Sequence, residues 1–106
     1  MNTIIKSTHE DHPTLSPLTS GKALKVFEVS GKTGMVMPQH HSTLEAVVTI
    51  KSGKANLIFK DSEFLLQTGT SFLIPAGKSH VLEILEDLKA VVVMLVDSEL
   101  KFDVSN

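Results

Sequence analysis

The amino-acid sequence predicts an all-β domain, built as a sandwich or as a barrel. From Ala23 onward, short runs of strand-forming residues alternate with turn signals at intervals of about ten residues. Within residues 55–60, Ala55, Leu57 and Phe59 alternate with the intervening positions, as expected of a pleated strand. The chain has 106 residues, of which 42% are hydrophobic and 21% charged, and these values match one globular domain. Many short strands with regular turns therefore indicate a single sandwich or barrel.

The first twenty residues are polar and interrupted by prolines. We interpret residues 1–20 as an extended N-terminal lead-in, with one short strand around Ile4 and Ile5, and residues 21–106 as the barrel. His9 and His12 stand beside acidic residues, so we interpret them as part of a solvated segment.

Seven strand-forming runs follow, each bounded by Gly, Pro, Ser, Asp or Lys residues that favour turns. The predicted strands are residues 23–29, 35–37, 44–50, 55–59, 64–66, 72–74 and 89–96. Residues 81–88 fit two patterns. Their apolar side chains follow both the helical spacing that begins at Val81 and the alternation of a strand buried on both faces. The sequence leaves this segment open between helix and strand.

Composition and charge exclude several classes of function. Ten Lys and Arg against twelve Asp and Glu give a net charge of −2, and the aromatic residues are five Phe without Trp or Tyr. A nucleic-acid surface needs clustered cations and stacking aromatic rings, so this class is excluded. The absence of Cys excludes disulfides, thiolate nucleophiles and Cys-bound zinc. The longest apolar run, residues 90–96, is too short to cross a bilayer, and the first residues contain no signal-peptide core. We therefore expect a cytoplasmic protein that binds neither nucleic acid nor membrane.

A short segment ending at His80 combines features that place one imidazole at a fixed depth in a barrel. Gly69 supplies a turn into a buried strand, Pro75 ends that strand, and Gly77 provides a position for positive φ. His80 then opens the next strand. This spacing resembles the second motif of the cupin family, G-x5-P-x-G-x2-H-x3-N, with Ile84 in place of the final Asn.

A second resemblance lies upstream. The first cupin motif, G-x5-H-x-H-x3,4-E-x6-G, is matched at Gly34, His40 and Gly53. Ser42 and Ala46 stand at the positions of its second His and its Glu. The two matches cover about residues 34–84, and the resemblance implies a double-stranded β-helix, the jelly-roll cupin barrel. It also implies a metal site built from His and carboxylate ligands, of which His40 and His80 are in place.

Two registers of the strand after the first motif remain open. His41 and Glu45 each lie one residue before the motif positions. A β-bulge between Ala46 and Gly53 would turn Gln39, His41 and Glu45 inward, whereas without it Ala46 faces inward and the two motif histidines form the pair. The register without a bulge gives the cleaner alternation. The candidate ligands for a divalent transition metal (Mn, Fe, Ni or Zn) are therefore His40, His80, His41 and Glu45.

Three functions stay open at this point. The first is a small stand-alone cupin whose His-lined pocket binds a small molecule and, with an incomplete ligand set, a divalent metal. The second is a metal-dependent cupin enzyme, such as a dioxygenase, isomerase or decarboxylase, and the residues do not choose among these reactions. The third is a non-catalytic dimeric structural or sensing module. The apolar strands at residues 23–29 and 89–96 suit contacts between two copies, so the expected partners are a small-molecule ligand and a second copy in a homodimer.

Overall fold

The computed structural model describes residues 12–103, and every regular element among them is a β-strand. The predicted all-β class is therefore confirmed. No helix within this range could span a membrane. The strands are β1 (Thr14–Ser20), β2 (Leu24–Gly31), β3 (Val36–Ser42), β4 (Ala46–Phe59), β5 (Glu63–Gln67), β6 (Ser71–Ile74), β7 (His80–Leu95) and β8 (Leu100–Phe102).

The two long strands β4 and β7 form the centre of the fold. They pair antiparallel along nearly their whole length, and β7 also pairs with β2 and β3 on its other edge. Residues 81–88, which the sequence left open between helix and strand, therefore form part of a strand. Backbone pairing on both edges imposes a period of two, so His80, Leu82 and Ile84 share the buried face.

The turn expected at residues 51–54 lies inside β4 and is a bulged part of one continuous strand. The ladder to β7 is irregular between Ile50 and Ala55, and the buried positions change there from even to odd numbers. Gly53 has a φ of 97°, and a Cβ at this position would overlap the carbonyl oxygen of Asp87. The turn signals in the sequence therefore mark a bulge, because β7 continues opposite to them and keeps the strand paired.

The edges of the sheet contain two short strands that the sequence did not single out. β1 pairs antiparallel with β2, and its register shifts beside Pro17, which is typical of an edge strand. β8 pairs antiparallel with β3. The proposed division between residues 1–20 and 21–106 stays a prediction. The strand expected at Ile4 and Ile5, and the interpretation of His9, lie outside the described residues.

The hydrophobic core lies on the concave face of the curled sheet. Its members come from all the strands between β2 and β7, so the core joins both ends of the long strands. Fully burying one such side chain contributes roughly 1.5–3 kcal/mol to folding. The buried cluster comprises Val29, Met37, Val48, Ile50, Ala55, Leu57, Phe59, Leu66, Ile74, Leu82, Ile84, Leu88 and Ala90.

Candidate functional site

Two histidines that are distant along the chain meet inside the sheet. His40 on β3 and His80, the first residue of β7, are direct partners in the strand ladder. Their ring centroids lie 4.3 Å apart at an interplanar angle of 66°. Only 5% of His40 and 4% of His80 is exposed. The sequence-predicted pair is thus brought together and enclosed.

The residues before each histidine fix its direction. The β3 ladder shifts between Met37 and His40, and this irregularity leaves His40 on the buried face. Before His80, Gly77 adopts a φ of 71°, and its backbone N–H donates to the carbonyl of Ser42 at 2.8 Å. This hydrogen bond ties the turn before β7 to the end of β3, so both rings are held by rigid backbone.

Both imidazoles are held in the same tautomer. The Nδ1 of His40 donates to the carbonyl of Pro38 at 2.6 Å, and the Nδ1 of His80 donates to the carbonyl of Lys78 at 2.9 Å. Because a carbonyl oxygen only accepts, each Nδ1 carries the proton and each Nε2 keeps a free lone pair.

Burial keeps both rings uncharged. Desolvation lowers the pKa of His40 from 6.5 to about 4, against the opposing effect of its hydrogen bond to Pro38. The neighbouring His80 lowers it further, because two imidazolium ions would repel each other. Desolvation also lowers the pKa of His80. At neutral pH the site therefore presents two neutral imidazoles.

The pair faces a cavity of about 210 Å³ within the sheet. Apolar side chains from most of the strands form its wall, including Val48, Leu57, Leu66, Ile74, Leu82 and Ala90. Two other polar side chains reach the cavity. The Nζ of Lys25 donates to the carbonyl of Ser98 at 2.7 Å, and the Oγ of Ser42 donates to the carbonyl of Leu44 at 2.8 Å.

The structure places His41 and Glu45 away from this pair. The Nδ1 of His41 donates to Oδ1 of Asp103 at 2.8 Å, while Glu45 is exposed between β3 and β4. The register that turns Gln39, His41 and Glu45 inward is not adopted, because the β4 bulge lies beyond Ile50 and leaves Ala46 buried. Metal binding by the four candidate residues stays a prediction. Within residues 12–103, no three His, Asp or Glu side chains are grouped closely enough to hold a metal ion.

Asp103 is a residue of the site region that the sequence did not indicate. Its carboxylate accepts from His41 and, at 2.7 Å, from the Oγ of Ser79, and both bonds lower its pKa, that of Ser79 more strongly. Its backbone N–H donates to the carbonyl of Gln39 at 2.9 Å. These contacts fasten β8 beside the histidines, and Phe102 on that strand lies 5.4 Å from His40 between ring centroids. The two motif matches end near residue 84, so no spacing in the sequence indicated Asp103.

Comparisons with known proteins identify the fold. No family model matches the chain, and no curated protein matches it. The structure is similar to that of the DMSP lyase DddQ from Ruegeria pomeroyi, with a TM-score of 0.77 and 17% identity over 86% of this chain and 51% of that chain. The chain thus spans about half the length of that lyase.

Two further solved structures agree with this assignment. The polyketide cyclase RemF from Streptomyces resistomycificus gives a TM-score of 0.77 at 15% identity, over 90% of this chain and 73% of that chain. An RmlC-like cupin with a double-stranded β-helix fold from Methanocaldococcus jannaschii gives 0.71 at 17% identity, over 80% and 81%. The chain therefore has the cupin fold, and the predicted double-stranded β-helix is confirmed.

Proposed function

We propose that this cupin-fold chain binds a small, largely apolar organic molecule in its barrel, with a hydrogen-bond donor of that molecule at the histidine pair. The observation that carries the proposal is the joint orientation of His40 and His80. Both Nδ1 atoms are engaged by backbone carbonyls, so both Nε2 atoms are left as acceptors in an apolar enclosure. A hydroxyl or N–H group on the ligand supplies the donor that these atoms lack.

The site favours binding over acid–base or nucleophilic chemistry. A general base works best with a pKa near the operating pH, and that of His40 lies at about 4. The Ser42 hydroxyl donates to a backbone carbonyl, so no base activates it. Two of the similar structures are a lyase and a cyclase by name, and at 17% and 15% identity they share the fold with this chain. Their reactions are therefore not used to assign a role to any residue of this chain.

The cavity limits the size and character of the ligand. Its volume of about 210 Å³ suits a molecule of a few carbon atoms. The apolar wall contributes roughly 25 cal/mol for each Å² of apolar ligand surface that leaves water. The two Nε2 acceptors then fix the orientation of the ligand, because a hydrogen bond to a ring nitrogen is directional.

A divalent metal is the second candidate occupant. Metal-binding histidines usually donate their other ring N–H to a carbonyl or carboxylate, and both imidazoles here have this arrangement. Catalytic zinc sites, however, have three protein ligands, and residues 12–103 bring two together. A complete protein ligand set does not fit the described residues. The metal candidate therefore requires ligand atoms from the bound molecule, with Mn, Fe, Ni or Zn as the ions to test.

Calorimetric titration of chelator-treated protein with hexan-1-ol tests the main proposal. We expect saturable binding that His40→Phe weakens about two- to tenfold, because the variant keeps a ring of similar shape and loses one acceptor. The matched control is His12→Gln, which changes an exposed histidine and leaves the affinity unchanged. No saturable binding of short alcohols, or equal binding by His40→Phe, would overturn the proposal.

The same protein tests the metal candidate. Chelator-treated samples are incubated with each ion, with and without hexane-1,2-diol, and bound metal is counted after gel filtration. Retention of metal by the wild type with the diol, lost in His40→Phe, would favour the second candidate. Retention that is unchanged in His40→Phe would place the metal elsewhere.

A further inference from the structure

A groove of about 690 Å³ lies on the outer side of His80. His80 lines both this groove and the barrel cavity, so the two spaces adjoin at one imidazole. The groove differs from the cavity in character, because charged and polar side chains line it. They include Lys60, Asp61, Lys78 and Ser79, and the ring of Phe59 lies beside them.

The groove carries excess positive charge. Lys60 and Lys78 contribute two ammonium groups, and Asp61 is the one carboxylate that lines the groove among the residues the structure describes. The Nζ of Lys78 lies 4.0 Å from Oδ1 of Asp61, with 45% and 79% of the two side chains exposed. At this distance and exposure the pair is weak, so Lys78 retains the capacity to bind another anion. The carboxylate of Asp103 accepts from His41 and Ser79 and does not line the groove.

An aromatic ring holds the Lys78 ammonium in place. Its Nζ lies 4.7 Å from the ring centroid of Phe59, within the range of a cation–π contact. Phe59 is buried, and its ring lies 5.5 Å from that of His80 between centroids. The ammonium is thus held against the same ring that packs beside the histidine pair. This contact links the positive charge of the groove to the barrel site.

We propose that this groove is the subsite for an anionic group of the molecule bound in the barrel, so that the ligand is an organic anion with a short apolar body. The inference rests on the proposed function for the position of the apolar body. The anion lies beside Lys78 and Lys60, the donor group lies at the histidine pair, and the apolar part fills the cavity. A carboxylate fits this arrangement, because its charge stays in the solvated groove and avoids burial.

Nuclear magnetic resonance titrations of the full chain with three probes test the inference. Acetate carries only the anion and hexan-1-ol only the apolar body and donor. 2-Hydroxyhexanoate carries all three features, with its hydroxyl between the carboxylate and the apolar chain. We expect acetate to shift the backbone amides around Lys78, hexan-1-ol to shift those around Val48 and Ala90, and 2-hydroxyhexanoate to shift both groups. We also expect 2-hydroxyhexanoate to bind more tightly than hexan-1-ol.

Variants separate the groove from the barrel. Lys78→Gln should weaken 2-hydroxyhexanoate binding about two- to fivefold, the range of an exposed ion pair, and leave hexan-1-ol binding unchanged. Lys54→Gln is the matched control, since Lys54 is likewise exposed and pairs with Glu86 at 3.5 Å outside the groove. The inference would be overturned if Lys78→Gln bound 2-hydroxyhexanoate as tightly as the wild type and acetate shifted no amides at the groove. Hexan-1-ol binding would in that case leave the proposed function intact. Acetate shifts at the groove without hexan-1-ol binding would support the anion site and overturn the proposed function.

Discussion

Acidification should destabilise this protein well above the pH at which its carboxylates titrate, because His40 is buried as a neutral ring. In the unfolded chain its pKa is near 6.5, and in the folded chain it is about 4. Between these values the unfolded state binds more protons, so lowering the pH favours unfolding. The stabilising effect is complete above pH 6.5 and is lost as the pH falls towards 4.

The size of the effect follows from the pKa difference. Each unit corresponds to about 1.4 kcal/mol, so His40 alone accounts for about 3 kcal/mol in full and about 2–3 kcal/mol between pH 7.5 and pH 4.5. The lowered pKa of His80 adds to the loss in the same direction. Hydrogen bonds from Thr33 and Ser79 lower the pKa values of Asp87 and Asp103, so these carboxylates lose their stabilising effect mainly below about pH 4. A lower limit of pH 4.5 keeps that contribution small.

Urea unfolding at several pH values measures this loss. Far-ultraviolet circular dichroism is the suitable signal, since the chain has neither Trp nor Tyr for fluorescence. His40→Gln removes the titrating group and should retain at least about 2 kcal/mol of the stability that the wild type loses between pH 7.5 and pH 4.5. His12→Gln, at an exposed position, should lose as much as the wild type. If His40→Gln lost as much stability as the wild type, the account of burial would be refuted.

Three further predictions concern packing, backbone geometry and assembly. Leu66→Ala should cost about 2–5 kcal/mol in urea unfolding and Leu65→Ala less than about 0.5 kcal/mol, since these neighbours on β5 are 1% and 53% exposed. Gly69→Ala should lower the free energy of unfolding by about 1–2 kcal/mol, because the only penalty is its positive φ. Gly53→Ala should cost more, because its Cβ would also overlap the β7 backbone. An equal cost for the two variants would contradict the bulge geometry. We expect light scattering at micromolar concentration to show a homodimer. Val47→Lys should weaken this dimer, because Val47 lies on an apolar outer face of the sheet. A monomeric wild type would contradict the prediction.

The sequence predicted the fold because its turn and strand signals agree with two spaced motifs. Gly77 and His80 fit one motif and His40 fits the other, and the structure brings the two rings together. Local chemistry suffices here, since each histidine is directed by the residues immediately before it. The inward position of Ala46 also follows the simpler alternation.

Features that depend on pairing between residues distant along the chain could not be predicted from the sequence. The turn signals at residues 51–54 resemble those of a hairpin, and only the opposing length of β7 makes them a bulge. The length of β7 itself could not be predicted, because an apolar run buried on one face and paired on both edges also fits helical spacing. Asp103 reaches His41 and Ser79 through β8, a three-residue strand whose sequence contains too few residues to show a period.

Ala46 connects the motif, the cavity and the charge state of the histidines. In the family resemblance this position is that of a carboxylate, and here it is a buried alanine that lines the cavity. A carboxylate at this depth would require a cation or a charged imidazole beside it, because an unpaired buried charge is costly. Alanine removes that requirement at this position of the wall, and both imidazoles remain neutral because burial lowers their pKa values. The site is then suited to an uncharged donor within the barrel, and an anionic group of the ligand belongs outside, beside Lys78.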